Sequence, residues 1–310
     1  MHNHRISRRT LLKVIGGTGF GSMIPSSSFS FLQRGHISSR AIPSSGEALP
    51  IVGLGTWIQF DVGTSASDRA PLREVLTQMK QYGGKVIDSS PMYGNSEAVI
   101  GDLTQDLGIA SHFFYATKVW TSGEQAGIRQ MEASMQKMRR STMDLMQIHN
   151  LIDWRTHIKT LRQWKEAGKI RYIGVTHYVD SAHAQLEEII RNEGIDFVQC
   201  NYSIRSRHAE QSLLETARTH NVAVIINRPY EGGALFGMVR NEDLPAWAKE
   251  YDIESWGQFF LKFILSHPAV TCAIPGTSNP EHVVDNVLAG YGKLPDEAGR
   301  EKMAGYIQQL

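Results

Sequence analysis

Cysteine is nearly missing from this chain: 310 residues carry only Cys200 and Cys272. Two cannot form a disulfide framework, and each stands in or at the end of an apolar segment, so both read as core thiols. No Cys-x-x-Cys or His-x-x-x-His spacing occurs, so no metal site is expected. Charge of one sign is lacking as well. Lys and Arg number 32 against 31 Asp and Glu, a net of +1, which gives no clustered basic face for nucleic acid or an anionic membrane. No uninterrupted apolar run is long enough to span a bilayer: Val14 to Ile24, the best stretch, is diluted by Gly16, Gly17, Gly19 and Gly21. What is present is ordinary globular material, 41% hydrophobic and 20% charged, with enough apolar surface for a sizeable core.

From about residue 50, short β-branched or aromatic runs alternate with segments whose apolar positions recur at three and four, at intervals of roughly 25 to 35 residues. The strand candidates are Ile51–Leu54, Lys85–Asp88, Phe113–Lys118, Met143–His149, Ile170–Val175, Phe197–Cys200, Val222–Ile226 and Thr271–Ile274. Helices are expected between them, closed by Gly83-Gly84 and Gly168, and the longer gap after Ile226 should hold an extra loop or helix. Eight βα units predict an α/β fold, a (β/α)8 TIM barrel formed as a single domain over residues 46–310. An open doubly wound sheet has the same alternation but calls for G-x-G-x-x-G after the first strand. Gly53-Leu54-Gly55-Thr56 lacks the third glycine and is followed by the bulky Trp57.

Three of these runs end on a polar residue: Asp88, Lys118 and His149, with Tyr93 in the loop after Asp88. In a parallel barrel, catalytic groups sit at the C-terminal ends of the strands. Singly, each residue has a structural explanation: an ion pair across strands for Asp88 and Lys118, a packed loop residue for Tyr93, a core histidine for His149. Together they form a proton-transfer set. A phenol holds its proton near pH 10, a neighbouring ammonium lowers that value, and a carboxylate keeps the ammonium charged and in place, while an imidazole helps position the proton. Such a set protonates a carbonyl oxygen as hydride reaches its carbon, and the hydride requires a nicotinamide cofactor.

With these residues in place the chain resembles the aldo/keto reductase family. The likeness is carried by Gly53-Leu54-Gly55-Thr56-Trp57, Ile87-Asp88-Ser89-Ser90-Pro91-Met92-Tyr93-Gly94-Asn95-Ser96-Glu97, Thr117-Lys118, Gln147-Ile148-His149-Asn150, Val198-Gln199-Cys200-Asn201-Tyr202 and Ile274-Pro275-Gly276-Thr277-Ser278. It implies NAD(P)H-dependent reduction of an aldehyde or ketone, with Asp88, Tyr93, Lys118 and His149 as the catalytic tetrad. It further implies a cofactor site at Thr176, His177, Gln199, Arg228, Pro229, Gly276, Thr277, Ser278, His282 and Asn286. Here the chain departs from the family: Thr176-His177 replaces a Ser-Asn pair, and Gly276 and His282 stand where NADPH-preferring members often carry a lysine and an arginine. NADP(H) is the expected cofactor, with NAD(H) not excluded. Trp57 and Trp120, beside the tetrad, are expected to wall the substrate pocket.

The N-terminus reads differently. Ser7-Arg8-Arg9-Thr10-Leu11-Leu12-Lys13 resembles the twin-arginine export motif, and Pro25 to Ser45 is rich in Ser and Pro, so residues 1–45 are expected to be signal and linker. This predicts a periplasmic protein that engages the twin-arginine machinery and has no stable membrane span. Nicotinamide cofactor is scarce outside the cytoplasm, and a route that exports folded proteins would let it leave already loaded. Two rivals remain at this point: a non-catalytic NADP(H)-binding sensor or regulatory subunit on the same barrel, and an isomerase or aldolase that uses Lys118 as a Schiff base.

Overall fold

A computed structural model describes residues 35–310. The export motif and the first part of the Ser/Pro-rich segment lie outside the described residues. His36–Leu310 forms one compact unit.

Two short strands, β1 (Ser39–Ala41) and β2 (Ala48–Pro50), pair antiparallel with Arg40 opposite Leu49. Eight parallel strands follow: β3 (Leu54–Gly55), β4 (Val86–Asp88), β5 (Phe114–Val119), β6 (Met143–His149), β7 (Ile170–Thr176), β8 (Phe197–Asn201), β9 (Ala223–Asn227) and β10 (Val270–Ala273), each hydrogen-bonded to the next. The ring closes through parallel bridges from Val52 to Ala273 and from Gly55 to Gly276. Its helices are α1 (Ala66–Gln81), α2 (Ser96–Asp106), α3 (Glu124–Lys137), α4 (Trp154–Glu166), α5 (His183–Asn192), α6 (Leu213–Thr219), the short α7 (Ala234–Met238) in the long gap, α8 (Trp256–Leu265), α9 (Pro280–Leu288) and the terminal α10 (Glu297–Ile307). The architecture is the expected (β/α)8 barrel.

The first barrel strand is shorter than its sequence suggested, for a steric reason. A Cβ on Gly55 would stand 2.8 Å from the Ile274 carbonyl oxygen, and one on Gly53 would stand 2.8 Å from Val86 Cβ. These glycines let the first and last strands approach closely enough to close the ring, a use unrelated to a dinucleotide loop.

The Ser/Pro-rich segment requires a correction. Its end, expected to be linker through residue 45, belongs to the folded unit: β1 lies there, and Ile42 is fully buried. Ile42 and Leu49 join Val86, Phe114, Leu145, Tyr172, Phe197, Ile225, Cys272 and Ile274 in one apolar cluster. The barrel strands contribute early inward-facing residues to that cluster, so the hairpin plugs the N-terminal end of the barrel. Arg40 fixes it in place by donating to the carbonyls of Leu265 at 2.6 Å, His267 at 2.8 Å and Val270. These carbonyls lie at and just beyond the C-terminal end of α8, where a cation is favoured.

Candidate active site

Strand alternation and register assemble the site. Asp88 ends β4, and Lys118 lies near the end of β5 with Gln147 of β6 in register beside it. His149, the last residue of β6, pairs with Thr176, and Thr176 pairs in turn with Gln199 of β8. Leu145, Gln147 and His149 alternate onto the barrel's inner side, so the apolar floor gives way to amide and then imidazole towards the C-terminal mouth.

Lys118 is fully buried and Asp88 nearly so. The ammonium donates to Asp88 Oδ2 at 2.6 Å and to the Ser89 carbonyl at 2.6 Å. Its remaining N–H faces Tyr93, whose ring centroid is 5.0 Å away. The other carboxylate oxygen, Asp88 Oδ1, accepts from Gln147 Nε2 and Gln199 Nε2, each at 2.9 Å. The buried charge pair thus has the hydrogen bonds it needs to offset desolvation. Burial alone would lower the lysine's pKa, but Asp88 and then Tyr93 outweigh it and hold the ammonium above its ordinary value. A Schiff-base lysine needs the opposite shift, so the environment of Lys118 disfavours that rival.

Tyr93 is held by a loop with defined anchors. Its N–H donates to the Ser90 carbonyl at 3.0 Å, and Asp61 Oδ1 accepts from Asn95 N at 2.8 Å. Gly94, between them, has φ +58°, and a Cβ there would lie 2.2 Å from the Asp61 carboxylate, so the turn requires glycine. Burial raises the Tyr93 pKa more than the Lys118 charge lowers it, and Asp88 adds to the rise. The expectation of a lowered phenol considered the ammonium without the burial. His149 stands edge-on to Tyr93 with ring centroids 5.8 Å apart, and its Nδ1 is 3.0 Å from Ser90 Oγ. Burial, then Lys118, then His177 push its pKa down to about 3, so the ring is neutral at physiological pH.

The residues expected to hold the cofactor fall into two groups along the barrel mouth. Thr176, His177, Gln199, Arg228 and Pro229 lie within or just after the C-terminal ends of β7, β8 and β9. Thr176 Oγ1 donates to Gln199 Oε1 at 3.0 Å, and the Gln199 amide nitrogen is taken up by Asp88 and by Gln147 Oε1 at 3.4 Å. His177 stacks on Tyr178, and the Arg228 guanidinium lies 5.8 Å from the same Tyr178 ring. Arg228 and Tyr178 line a cavity of about 440 Å³ that also takes in Asn201, Ser203, Arg205 and Glu231. The second group follows β10. Gly276 pairs with Gly55, Ser278 Oγ donates to Gln59 Oε1 at 3.0 Å, and Thr277 Oγ1 accepts from Asn279 N at 3.0 Å. His282 is exposed in the first turn of α9. Asn286 is buried and accepts from the Tyr230 hydroxyl at 2.5 Å, so that oxygen already has a protein partner.

Two residues outside the expected set belong to the site. Gln147 secures Asp88; its signal in the sequence was a lone amide at a barrel-facing position of an apolar strand. Asn227, the last residue of β9, donates to the His177 carbonyl at 3.1 Å and lies 3.4 Å from Gln199 Oε1, while its own Oδ1 is buried without a hydrogen-bond partner. An unmet buried acceptor is costly. Its place beside Thr176 and Gln199 fits the amino group of a nicotinamide carboxamide. Trp57 and Trp120 are 54% and 41% exposed, so they rim the mouth and are not core residues, with the Trp120 ring 6.4 Å from His149.

The chain is similar to known proteins in sequence and in fold. Residues 51–301 match the model of the aldo/keto reductase family. The chain is 28% identical over 262 residues to methylglyoxal reductase YeaE of Escherichia coli, covering 81% of this chain and 89% of that protein. It is 24% identical over 300 residues to an NADH-specific methylglyoxal reductase of the same organism, covering 77% and 89%. An aldo-keto reductase from Klebsiella pneumoniae, solved in complex with NADPH, shares the fold with a TM-score of 0.73 at 24% identity, covering 88% of this chain and 95% of that one. On the family match, which spans most of its length, the chain belongs to the aldo/keto reductase family.

Proposed function

We propose that this protein reduces an aldehyde or ketone to an alcohol, with Tyr93 as the general acid. The observation that carries the reading is the buried Lys118–Asp88 pair beside Tyr93, together with a neutral His149. A bound reduced nicotinamide supplies the hydride. Tyr93 gives its proton to the carbonyl oxygen, and Lys118 offsets the phenolate charge that this leaves. Asp88 keeps Lys118 charged and placed, and Gln147 and Gln199 keep Asp88 turned towards it. His149, bonded through Nδ1 to Ser90, has Nε2 left to orient the same oxygen. Thr176, Gln199 and Asn227 would hold the carboxamide. Thr277, Ser278 and His282 would face the adenosine phosphate at the start of α9.

NADP(H) is the proposed cofactor. With glycine at 276 and histidine at 282, discrimination against NADH is expected to be weak. The relatives named as methylglyoxal and glyoxal reductases make small dicarbonyl aldehydes the first substrates to try. The test is fluorescence titration with NADPH and NADH, then loss of reduced-nicotinamide absorbance with a panel including methylglyoxal. Binding with turnover is expected. Tight binding with no turnover on any carbonyl would favour a sensor or regulatory subunit, and no binding would sink both.

We further propose that the protein is exported to the periplasm through the twin-arginine route with its cofactor already bound. Arg8 and Arg9 support this reading, since they precede an apolar, glycine-diluted stretch. Among the described residues no helix is long and apolar enough to cross a membrane. Cell fractionation tests it: the protein should be periplasmic and carry nucleotide, and the paired change Arg8→Lys and Arg9→Lys should retain it in the cytoplasm. A cytoplasmic location for the unaltered chain would overturn the proposal.

A further inference from the structure

We propose that Asp180, His183 and His208 form a binding site for a divalent transition-metal ion of the zinc class, apart from the proton-transfer set. Asp180 opens the turn after β7, His183 is the first residue of α5, and His208 lies on the turn between β8 and α6. One ligand atom from each lies within 4.8 Å of the other two. No other such group of three is found among the described residues.

The hydrogen bonds around the cluster define its chemistry. Asn201 Nδ2 is 2.5 Å from Asp180 Oδ1, and a carboxylate only accepts, so the Asn201 amide nitrogen faces Asp180. Asn201 Oδ1 therefore faces His183 Nε2, at 3.0 Å. A neutral His183 must carry its proton on Nε2, which leaves a lone pair on Nδ1. That lone pair faces His208 Nδ1, 2.9 Å away. Two imidazole nitrogens at this separation can each sit about 2.0–2.1 Å from a shared ion. A ring N–H donated to a side-chain carbonyl is also the usual support of a metal-bound histidine, fixing tautomer and orientation.

Asp180 completes the set. Its Oδ1 accepts from Asn201 and, at 3.4 Å, from Ser206 Oγ, and stands 3.9 Å from His183 Nε2, while Oδ2 makes no hydrogen bond among the described residues and the side chain is exposed. Rotation of the Asp180 and His208 side chains, both on the surface, would bring three donors onto one ion. Asp180, Asn201 and Ser206 also line the cavity of about 440 Å³, which supplies entry and room for water at the remaining coordination position. Two imidazoles and one carboxylate suit zinc and its neighbours and are poor ligands for magnesium or calcium. A bound ion would tie the segment carrying His177 and Tyr178 to the turn carrying His208, linking the loops after two adjacent barrel strands.

The experiment is calorimetric titration of the tag-free full chain with Zn²⁺, repeated with Co²⁺ while its visible d–d absorption is followed. One ion per chain is expected. His208→Ala and Asp180→Asn, surface changes monitored by circular dichroism, should each weaken binding by about tenfold or more, equivalent to about 1.4 kcal/mol. The proposal is overturned if less than one ion binds per chain, or if both variants bind as the parent does. In that case His208 simply donates its Nδ1 proton to His183, and the cluster is a hydrogen-bonded network.

Discussion

Tyr93 is pulled two ways: burial and Asp88 favour the neutral phenol, and Lys118 favours the phenolate, with burial prevailing. A general acid must hold its proton before it gives it, so the raised value keeps Tyr93 protonated throughout the neutral range. The rate of carbonyl reduction at saturating cofactor is therefore expected to stay level through neutral pH and to fall only at alkaline pH, as Tyr93 loses its proton. His149, with a pKa of about 3, should contribute no titration near its ordinary value of about 6.5. A kcat profile with a limb between pH 6 and 7, abolished by His149→Gln, would contradict that assignment, where pH 6 and 7 mark roughly the ordinary histidine range. Glu97 offers a second test. It is fully buried, accepts from Thr117 Oγ1 at 2.5 Å and leaves Oε2 unpartnered, and burial raises its pKa. The folded state thus binds the Glu97 proton more tightly than the unfolded chain does. Stability relative to Glu97→Gln should be best below the ordinary carboxylate range and should decline as pH rises towards the folded value, with the penalty complete above it. Urea unfolding of both proteins across pH measures this; a difference that does not change with pH would refute it.

Among the elements, strands β4 to β10 were readable to within about two residues, because alternating short apolar runs and helical periodicity are long-range regularities. The β1–β2 hairpin was not, because its Ser, Pro and Gly content reads as linker. Its stabilisation comes from three positions, Arg40, Ile42 and Leu49, that composition averages away. Ile42→Ala is expected to cost about 2–5 kcal/mol, as for other fully buried aliphatic truncations, and to lower the urea midpoint. A loss below about 0.5 kcal/mol, the usual range of surface changes, would show that the plug contributes little. The cluster of Asp180, His183 and His208 was equally invisible, since its members come from the β7–α5 and β8–α6 junctions, far apart in the sequence, and match no familiar ligand motif. Asn95 follows a different pattern. It occupies the position before α2, where an asparagine commonly caps a helix, yet its side chain makes no capping bond there, while its backbone N–H is tied to Asp61.

At the scale of the whole molecule, the barrel explains why Asp88, Tyr93, Lys118 and His149 could be read from the sequence as one cluster. Polar residues ending consecutive apolar runs have few structural uses, and barrel register brings the ends of those runs to one mouth. The support around the tetrad was less legible. Gln147 gave a weak alternation signal, and Asn227 gave none, because its importance depends on the side-chain packing of β7, β8 and β9 against one another. The same dependence guides the choice of variant. Removing Lys118 or Asp88 would leave a buried charge unpaired, at a cost of about 3–5 kcal/mol, and would confuse stability with chemistry. Tyr93, half-buried on an anchored loop, can lose its hydroxyl without that penalty. The most direct measurement is therefore kcat for carbonyl reduction at saturating NADPH in the parent and in Tyr93→Phe, with NADPH affinity measured in parallel. A fall in kcat of about 10²–10⁴-fold with little change in NADPH affinity is the predicted result. Turnover retained within a few-fold of the parent would contradict the assignment of Tyr93 as the general acid.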